Sequence, residues 1–186
     1  ARLLASFEHR SLVKVHRFWE GNGTAYMAMQ YYEGQTLKDV RLRMGTAPGD
    51  AWLHDFIDSI LGALELLHRR DVFHRDISPD NILILGDGQP VLLDFGSARR
   101  VIGDSTQSLT ALLKPHFAPL EQYADEVAMP QGAWTDLYAL GATLHFVITG
   151  RAPTPSVLRA VRDVLPALSA SARTSFPGIP PRLLAA

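Results

Sequence analysis

The sequence lacks cysteine entirely, and it has neither a long hydrophobic run nor an excess of charge of one sign. Without cysteine, disulfides, thiol catalysis and cysteine-based zinc sites are excluded, and the composition fits a reducing, cytoplasmic compartment. The longest apolar stretch, residues 137–148, contains a glycine, a threonine and a histidine and is too short to cross a bilayer. We therefore expect no membrane segment within this chain.

The charges are nearly balanced, with 18 Lys and Arg residues against 19 Asp and Glu residues. This balance excludes an acidic tail and the broad basic surface typical of proteins that bind nucleic acid. Hydrophobic residues make up 47% of the chain and charged residues 20%, which is close to the average of globular proteins. The composition therefore predicts a folded chain that does not take nucleic acid as a partner.

Apolar periodicity predicts a mixture of strands and helices. Strand-like runs, the first two joined by an Asn-Gly turn, occur at residues 13–20, 24–32, 82–85 and 91–93. Helical patterns occur at residues 1–7, 36–44, 50–70 and 134–149, and an amphipathic stretch covers residues 157–168. Residues 97–113 have no clear period and predict a long functional loop.

The two longest helical patterns carry further signals. Asp50 is placed to cap the N-terminus of the helix at residues 50–70. Gly150 directly follows the helix at residues 134–149, as glycine often does at a C-terminus. That second helix is apolar on nearly all sides, which predicts that it is buried.

The cluster HRDISPDN at residues 74–81, followed by Asp94 after the second hairpin pattern, indicates chemistry. An Asp and an Asn five residues apart in a tight loop can point at one place from two sides, and Asp94 can join them. The Asn81 amide and the Asp94 carboxylate provide oxygen ligands suited to Mg²⁺ with phosphate oxygens. Asp76 can accept the proton of an incoming hydroxyl, so the pattern predicts phosphoryl transfer.

Further motifs follow in a fixed order. After HRDISPDN come DFG at residues 94–96, an A-P-E-like element at 118–121 and DLYALG at 136–141. On these motifs the sequence resembles the eukaryotic-type (Hanks-type) Ser/Thr protein kinase family. The amino-acid sequence of residues 114–123 and 131–136 is similar to that of bacterial members of the family. However, His116-Phe117 stands where those members usually have Gly-Tyr.

The resemblance covers essentially the whole chain and implies an α+β, protein-kinase-like fold. Residues 1–33 match the end of the regulatory helix, the last strands of the N-lobe and the hinge. Residues 34–186 match the mainly α-helical C-lobe, of which the last part is missing. We therefore expect a partial kinase domain that is truncated at both ends.

The resemblance also implies catalytic roles. Asp76 is the base, and Arg75 links the catalytic loop to a phosphorylated activation segment. Asn81 and Asp94 hold Mg²⁺, while Ser78 contacts the γ-phosphate weakly or through water. The expected reaction uses ATP and Mg²⁺ and transfers the γ-phosphate to serine or threonine hydroxyls of a protein substrate.

Other residues are implied to bind the nucleotide or to support the loop. The adenine of ATP is expected to contact the gatekeeper, the hinge and one C-lobe residue, namely Met29, Gln30, Tyr32 and Leu83. His74 is implied to be a packed structural residue rather than an acid or base. Asp136 is expected to hold the catalytic loop from a buried helix.

Three departures from the family pattern matter. No Gly-rich phosphate loop and no strand lysine occur in the chain, because Ala1 aligns just after the regulatory-helix Glu. Ser78 stands where Ser/Thr kinases often have a lysine beside the base. The arginine that usually pairs with Glu121 has no counterpart before Ala186. We therefore expect these residues alone to be inactive.

Two alternatives stay open. A non-catalytic kinase-like interaction module would fit the missing lysine and glycine loop. A small-molecule phosphotransferase of the aminoglycoside-kinase kind would share the catalytic Asp and Asn, but it would lack the A-P-E-like element at residues 118–121. Specificity for serine and threonine over tyrosine rests on the resemblance alone.

Overall fold

A computed structural model of the chain describes residues 6–22, 24–94, 113–124, 128–166 and 168. The strands are β1 (Val15–Gly21), β2 (Thr24–Met29), β3 (Gly34–Thr36), β4 (Ile82–Leu85) and β5 (Pro90–Leu92). The α-helices are α1 (Leu37–Arg43), α2 (Asp50–His68), α3 (Ala133–Thr149) and α4 (Ser156–Val161). Two 3-10 turns lie at Pro79–Asn81 and Leu120–Tyr123. The predicted helix at residues 1–7 and the predicted loop at 97–113 fall largely outside the described residues.

Strands β1 and β2 form the predicted antiparallel hairpin, in which Gly21 pairs with Thr24 and Val15 pairs with Met29. The first strand begins two residues later than predicted, because Val13 is engaged elsewhere. Its N–H donates to the carbonyl of Leu92 at 2.9 Å, and a parallel bridge joins Leu12 to Leu92. The segment before β1 therefore ties this hairpin to the second sheet.

The second sheet has the order β3-β4-β5 with antiparallel pairing. Strands β4 and β5 are the second predicted hairpin, whereas β3 was not predicted, since Glu33-Gly34 had the pattern of a break. Gly34 lies so close to β4 that a Cβ atom there would come within 2.8 Å of the Ile84 carbonyl oxygen. The glycine therefore allows a strand to pair where a side chain would prevent it.

Helix α1 follows β3 without a loop. Thr36 is its N-cap, and the Thr36 hydroxyl accepts the N–H of Asp39 at 3.1 Å. Arg41 on this helix is buried, and its guanidinium donates to the carbonyls of Val147 and Ile148 at the end of α3. The positive side chain thus meets the negative end of the α3 dipole and fastens α1 to α3.

Helix α2 spans most of the predicted 50–70 segment and supplies much of the core. The prediction that Asp50 caps this helix was wrong: Gly49 is the N-cap, and the first helical hydrogen bond runs from Leu53 N–H to Gly49 O. Asp50 is itself the first helical residue, so its carboxylate points along the helix and lies 3.2 Å from His54 Nε2. The buried face of helix α2 consists of Leu53, Phe56, Ile60, Ala63, Leu64 and Leu67.

Helix α3 ends as predicted, with Gly150 in the left-handed region at φ 74° and its N–H donating to Phe146 O at 2.8 Å. The predicted burial on nearly all sides was partly wrong, since Trp134 is 57% and Leu137 49% exposed. Leu137 borders a cleft against α2, so only the opposite face of α3 packs in the core among the described residues.

The helix α4 is shorter than the amphipathic stretch at 157–168, because Arg162 is already extended. Within the described ranges, no helix is long and apolar enough to span a membrane.

Candidate functional site

The loop that follows α2 is anchored by a buried carboxylate on α3. Asp136 is fully buried, and its Oδ2 accepts the N–H of His74 at 2.8 Å while Oδ1 accepts the N–H of Arg75 at 2.7 Å. The Nε2 of His68 also lies 2.8 Å from Oδ2 and acts as donor, since a carboxylate only accepts. The expectation that Asp136 holds this loop is therefore confirmed, and the contribution of His68 was not predicted.

His74 is packed inside the molecule, as expected for a structural residue. Its ring is fully buried, and Nε2 donates to the carbonyl of Leu93 at 2.8 Å. Nδ1 accepts the N–H of Asp76 at 3.3 Å, so the ring is neutral with its proton on Nε2. Burial lowers the pKa of His74, and it outweighs the opposing attraction of Asp136.

This lowered pKa predicts how stability depends on pH. The unfolded chain takes up a proton on His74 near pH 6.5, whereas the folded chain does not. We therefore expect the free energy of unfolding to fall as the pH drops below about 6.5. Denaturant titrations of the protein as encoded should show a smaller pH slope for His74→Phe, and an NMR titration of wild type should show the His74 ring protonating below pH 6.5. A His74 pKa above this value would contradict the prediction.

Asp76 lies at the centre of the loop with its carboxylate accessible. Its side chain is 24% exposed, and its main-chain carbonyl accepts from the Asn81 amide nitrogen at 2.8 Å. That bond closes the loop over the five-residue interval that the sequence indicated. It leaves the Asn81 side-chain oxygen as the group that can meet a ligand.

Asp94 is brought to the same place by the backbone. The N–H of Leu93 donates to the carbonyl of Asn81 at 2.8 Å, and Asp94 is the next residue. Asp94 adopts a positive φ of 43°, which turns the chain two residues after β5 ends at Leu92. Asn81 and Asp94 are thus on adjoining stretches of backbone, as their proposed common role requires.

These two residues fit a magnesium ion. Mg²⁺ prefers oxygen ligands and is usually bound by one or two protein side chains together with phosphate oxygens and water. The Asn81 oxygen and the Asp94 carboxylate are ligands of this chemical type, and their common binding of Mg²⁺ stays a prediction. Among the described residues no cluster of three or more His, Cys, Asp or Glu side chains offers a self-sufficient metal site. Two oxygen ligands from protein side chains fit a Mg²⁺ ion whose other ligands are phosphate oxygens and water.

A cation beside Asp76 was not predicted. Lys114 Nζ lies 3.4 Å from Asp76 Oδ1 and donates to Ser78 Oγ at 2.6 Å. Ser78 is fully buried, so its hydroxyl has a fixed partner rather than water. The signal available in the sequence was the position of Lys114 at the head of the segment that resembles bacterial kinases.

The segment after Lys114 is fastened to the catalytic loop and to α3. Gln122 is buried and donates to the carbonyl of Arg75 at 2.8 Å. Glu121, expected to lack its arginine partner, accepts the hydroxyl proton of Thr135 at 2.9 Å. Residues 118–123 therefore support the loop that carries Asp76.

Three of the proposed adenine-binding residues lie at the end of β2 and in the linker that follows it, whereas Leu83 lies on β4, two residues after Asn81. Met29 ends β2, and the N–H of Gln30 donates to the carbonyl of Lys14 at 2.8 Å. Tyr32 lies in the linker to β3, and Leu83 lies on β4 opposite Thr36. The linker and Leu83 are thus on adjacent elements, and their contact with adenine stays a prediction. The proposed contacts of Arg75 with the activation segment fall largely outside the described residues.

The chain is similar to a known protein family and to individual proteins of known name. The sequence profile of the family described as "Protein kinase domain" matches residues 1–172. The chain is 32% identical over 186 residues to the serine/threonine-protein kinase PknL of Mycobacterium tuberculosis, covering 98% of this chain and 45% of that protein. It is 31% identical over 146 residues to the serine/threonine-protein kinase PknA of a Nostoc species, covering 75% of this chain and 25% of that protein. The chain thus spans less than half the length of these curated relatives.

Solved structures agree with the predicted fold class. The structure titled "PpkA-294 apo form" has a TM-score of 0.81 and 45% identity, covering 98% of this chain and 62% of that one. A structure of Rad53 residues 1–466 in complex with AMP-PNP has a TM-score of 0.64 at 23% identity, covering 82% of this chain and 37% of that one. These likenesses confirm the expected α+β, kinase-like fold.

Proposed function

Because the chain belongs to the protein kinase family, we propose that the protein transfers the γ-phosphate of ATP to serine and threonine hydroxyls of proteins. The similarity to bacterial serine/threonine-protein kinases supports this specificity. Since ATP is the phosphoryl donor, the proposed reaction takes place in the cytoplasm. The alternative of a small-molecule phosphotransferase is disfavoured, because such an enzyme would lack the A-P-E-like segment at residues 118–121. In this chain that segment is present, and Glu121 accepts a hydrogen bond from Thr135.

The observation that carries the proposal is the construction of the loop at residues 74–81. One short loop carries the Asp76 carboxylate, which would act as the base, and the Asn81 side-chain oxygen, which would be a metal ligand. The Asn81 amide nitrogen donates to the Asp76 carbonyl at 2.8 Å, and the Asp76 N–H donates to His74 Nδ1 at 3.3 Å. Phosphoryl transfer depends mainly on positioning and electrostatic stabilisation, so a rigid loop of this kind is what the reaction needs.

In the proposed step, the oxygen of the acceptor hydroxyl forms a bond to the γ-phosphorus of ATP. The bond between that phosphorus and the β–γ bridging oxygen breaks, and the bridging oxygen leaves with the electron pair as part of ADP. Asp76 orients the hydroxyl and receives its proton. Asn81 and Asp94 would hold Mg²⁺, which supplies positive charge to the phosphate oxygens.

We also propose that the 186 residues form the hinge and most of the C-lobe of a larger domain. Residues 1–33 would supply the last N-lobe strands and the hinge, with Met29, Gln30 and Tyr32 against adenine. The chain contains neither a Gly-rich loop nor a strand lysine to hold the phosphates in line. Residues 1–186 by themselves are therefore expected not to transfer phosphate.

The test uses the protein as encoded, with any segments that flank residues 1–186 (the full-length protein). It is incubated with γ-labelled ATP and a generic basic protein, with and without Mg²⁺, and the labelled amino acids are separated after acid hydrolysis. We expect Mg²⁺-dependent phosphoserine and phosphothreonine. Absence of transfer by a folded, ATP-binding protein would favour the non-catalytic module, and label in phosphotyrosine would refute the proposed specificity.

A further inference from the structure

The position of Lys114 carries an inference about the proposed reaction and rests on that proposed function. We propose that the Lys114 ammonium is the cation that binds the γ-phosphate of ATP next to Asp76, in place of a lysine within the catalytic loop. Ser78 occupies the position where Ser/Thr kinases often have that lysine. Lys114 Nζ reaches the same spot from a segment 36 residues further along the chain, where it donates to Ser78 Oγ at 2.6 Å.

The charges around the loop explain why a cation is needed there. The Asp76 carboxylate and the γ-phosphate are both anionic, so bringing them to one acceptor hydroxyl is opposed by Coulomb repulsion. Lys114 Nζ lies 3.4 Å from Asp76 Oδ1 and offsets that repulsion. The other nearby lysine, Lys38, lies 3.0 Å from Asp80 Oδ1 and is engaged there.

The hydrogen-bonding capacity of Lys114 leaves room for a phosphate oxygen. An ammonium group has three donors, and Ser78 and Asp76 account for two partners of Lys114 among the described residues. The Lys114 side chain is 29% exposed, so a ligand can approach it. A lysine side chain carries a compact positive charge that binds phosphate well. A phosphate oxygen can therefore be the third partner of the Lys114 ammonium group.

The backbone holds Lys114 in place. Its carbonyl accepts the N–H groups of Phe117 and Ala118 at 2.8 and 2.9 Å, which forms a closed turn. His116 in this turn lies with Nδ1 2.7 Å from the carbonyl of Pro153. The position of the ammonium is therefore set by the fold and not by the flexible stem of the lysine alone.

The proposal predicts that the positive charge can be moved between the two positions. We would compare full-length wild type with Lys114→Thr, with Lys114→Arg and with the double variant Ser78→Lys/Lys114→Thr. Lys38→Met is the matched control, because it removes a lysine that pairs with the loop away from Asp76. Calorimetry would give the affinities for Mg²⁺–AMP-PNP and Mg²⁺–ADP, which differ in the γ-phosphate, and kinetics would give kcat and the KM for ATP.

We expect Lys114→Thr to lower the preference for AMP-PNP over ADP by about tenfold or more, with ADP affinity unchanged, as for loss of a charge-assisted hydrogen bond. It should lower kcat more than it raises the KM, since the phosphate charge is redistributed in the transition state. Lys114→Arg and the double variant should recover most of the preference, and Lys38→Met should keep it.

Two results would overturn the proposal. One is an unchanged preference for AMP-PNP in Lys114→Thr, and the other is a double variant no better than Lys114→Thr. If a melting curve shows that Lys114→Thr is unfolded, Lys114→Met takes its place under the same criteria. Failure of this proposal can be distinguished from failure of the proposed function. If the proposed function is wrong, wild type does not transfer phosphate, but its preference for AMP-PNP over ADP still shows whether Lys114 binds the γ-phosphate.

Discussion

Replacing Asp76 by alanine in the full-length protein is expected to lower kcat for phosphate transfer by about 10²- to 10⁴-fold, the usual contribution of a general base. The affinity for Mg²⁺–ATP should stay close to wild type, because the metal ligands assigned here are Asn81 and Asp94. The carboxylate acts on the acceptor hydroxyl, so its removal affects the chemical step and not nucleotide binding. Steady-state kinetics and calorimetric titration with Mg²⁺–AMP-PNP measure the two effects separately.

The control is Asp80→Ala, which removes an exposed carboxylate four residues further along the loop that pairs with Lys38. This ion pair is solvent-exposed, so its loss should change stability and turnover little. Wild-type turnover in Asp76→Ala would refute the assignment of the base. Equal losses in Asp76→Ala and Asp80→Ala would indicate that loop conformation, rather than the Asp76 carboxylate, limits the reaction.

Replacing Asp136 by alanine is expected to cause the largest loss of stability. The substitution leaves the N–H groups of His74 and Arg75 and the Nε2 of His68 without their acceptor. Each buried donor left unpaired costs about 1–3 kcal/mol, so we expect a total of several kcal/mol. Denaturant unfolding and the melting temperature of the full-length protein measure the change.

Asp136→Asn and Asp55→Ala serve as controls for this prediction. Asparagine keeps one carbonyl oxygen and should lose less stability than alanine. Asp55 is an exposed acid on α2, and its replacement should change the free energy of unfolding by about 0.5 kcal/mol or less. A melting temperature of Asp136→Ala equal to that of Asp55→Ala would contradict the anchoring role.

Local patterns in the sequence predicted most of the secondary structure. The hairpin of β1 and β2 follows from alternating side chains and an Asn-Gly turn, and helix α2 follows from a repeat of three and four residues. Some of the errors lie where a tertiary contact competes with the local pattern. Val13 has a strand-like neighbourhood but donates its N–H to Leu92, so β1 starts later than its pattern.

In the candidate site, too, some features follow from the local sequence and others depend on tertiary contacts. The motif at residues 74–81 is short, and its residues meet because an intervening turn closes the loop, so spacing alone indicates that Asp76 and Asn81 belong together. Strand β3 depends instead on how closely the backbone of Gly34 can approach Ile84. The periodicity of apolar residues in the sequence carries no information about that distance. Glu121 likewise finds Thr135 as a partner through the packing of a distant helix.

Local patterns in the chain are thus sufficient to predict most of the described helices, both hairpins, the loop with its proposed base, and the family. Folding alone decides that Lys114 meets Ser78 and Asp76, and that His68 joins His74 and Arg75 on Asp136. These pairs are separated by 36 or more residues, and their meeting depends on how the elements pack. A hydrogen bond extends only about 3 Å, so a sequence pattern cannot specify it until the backbone has brought both groups together.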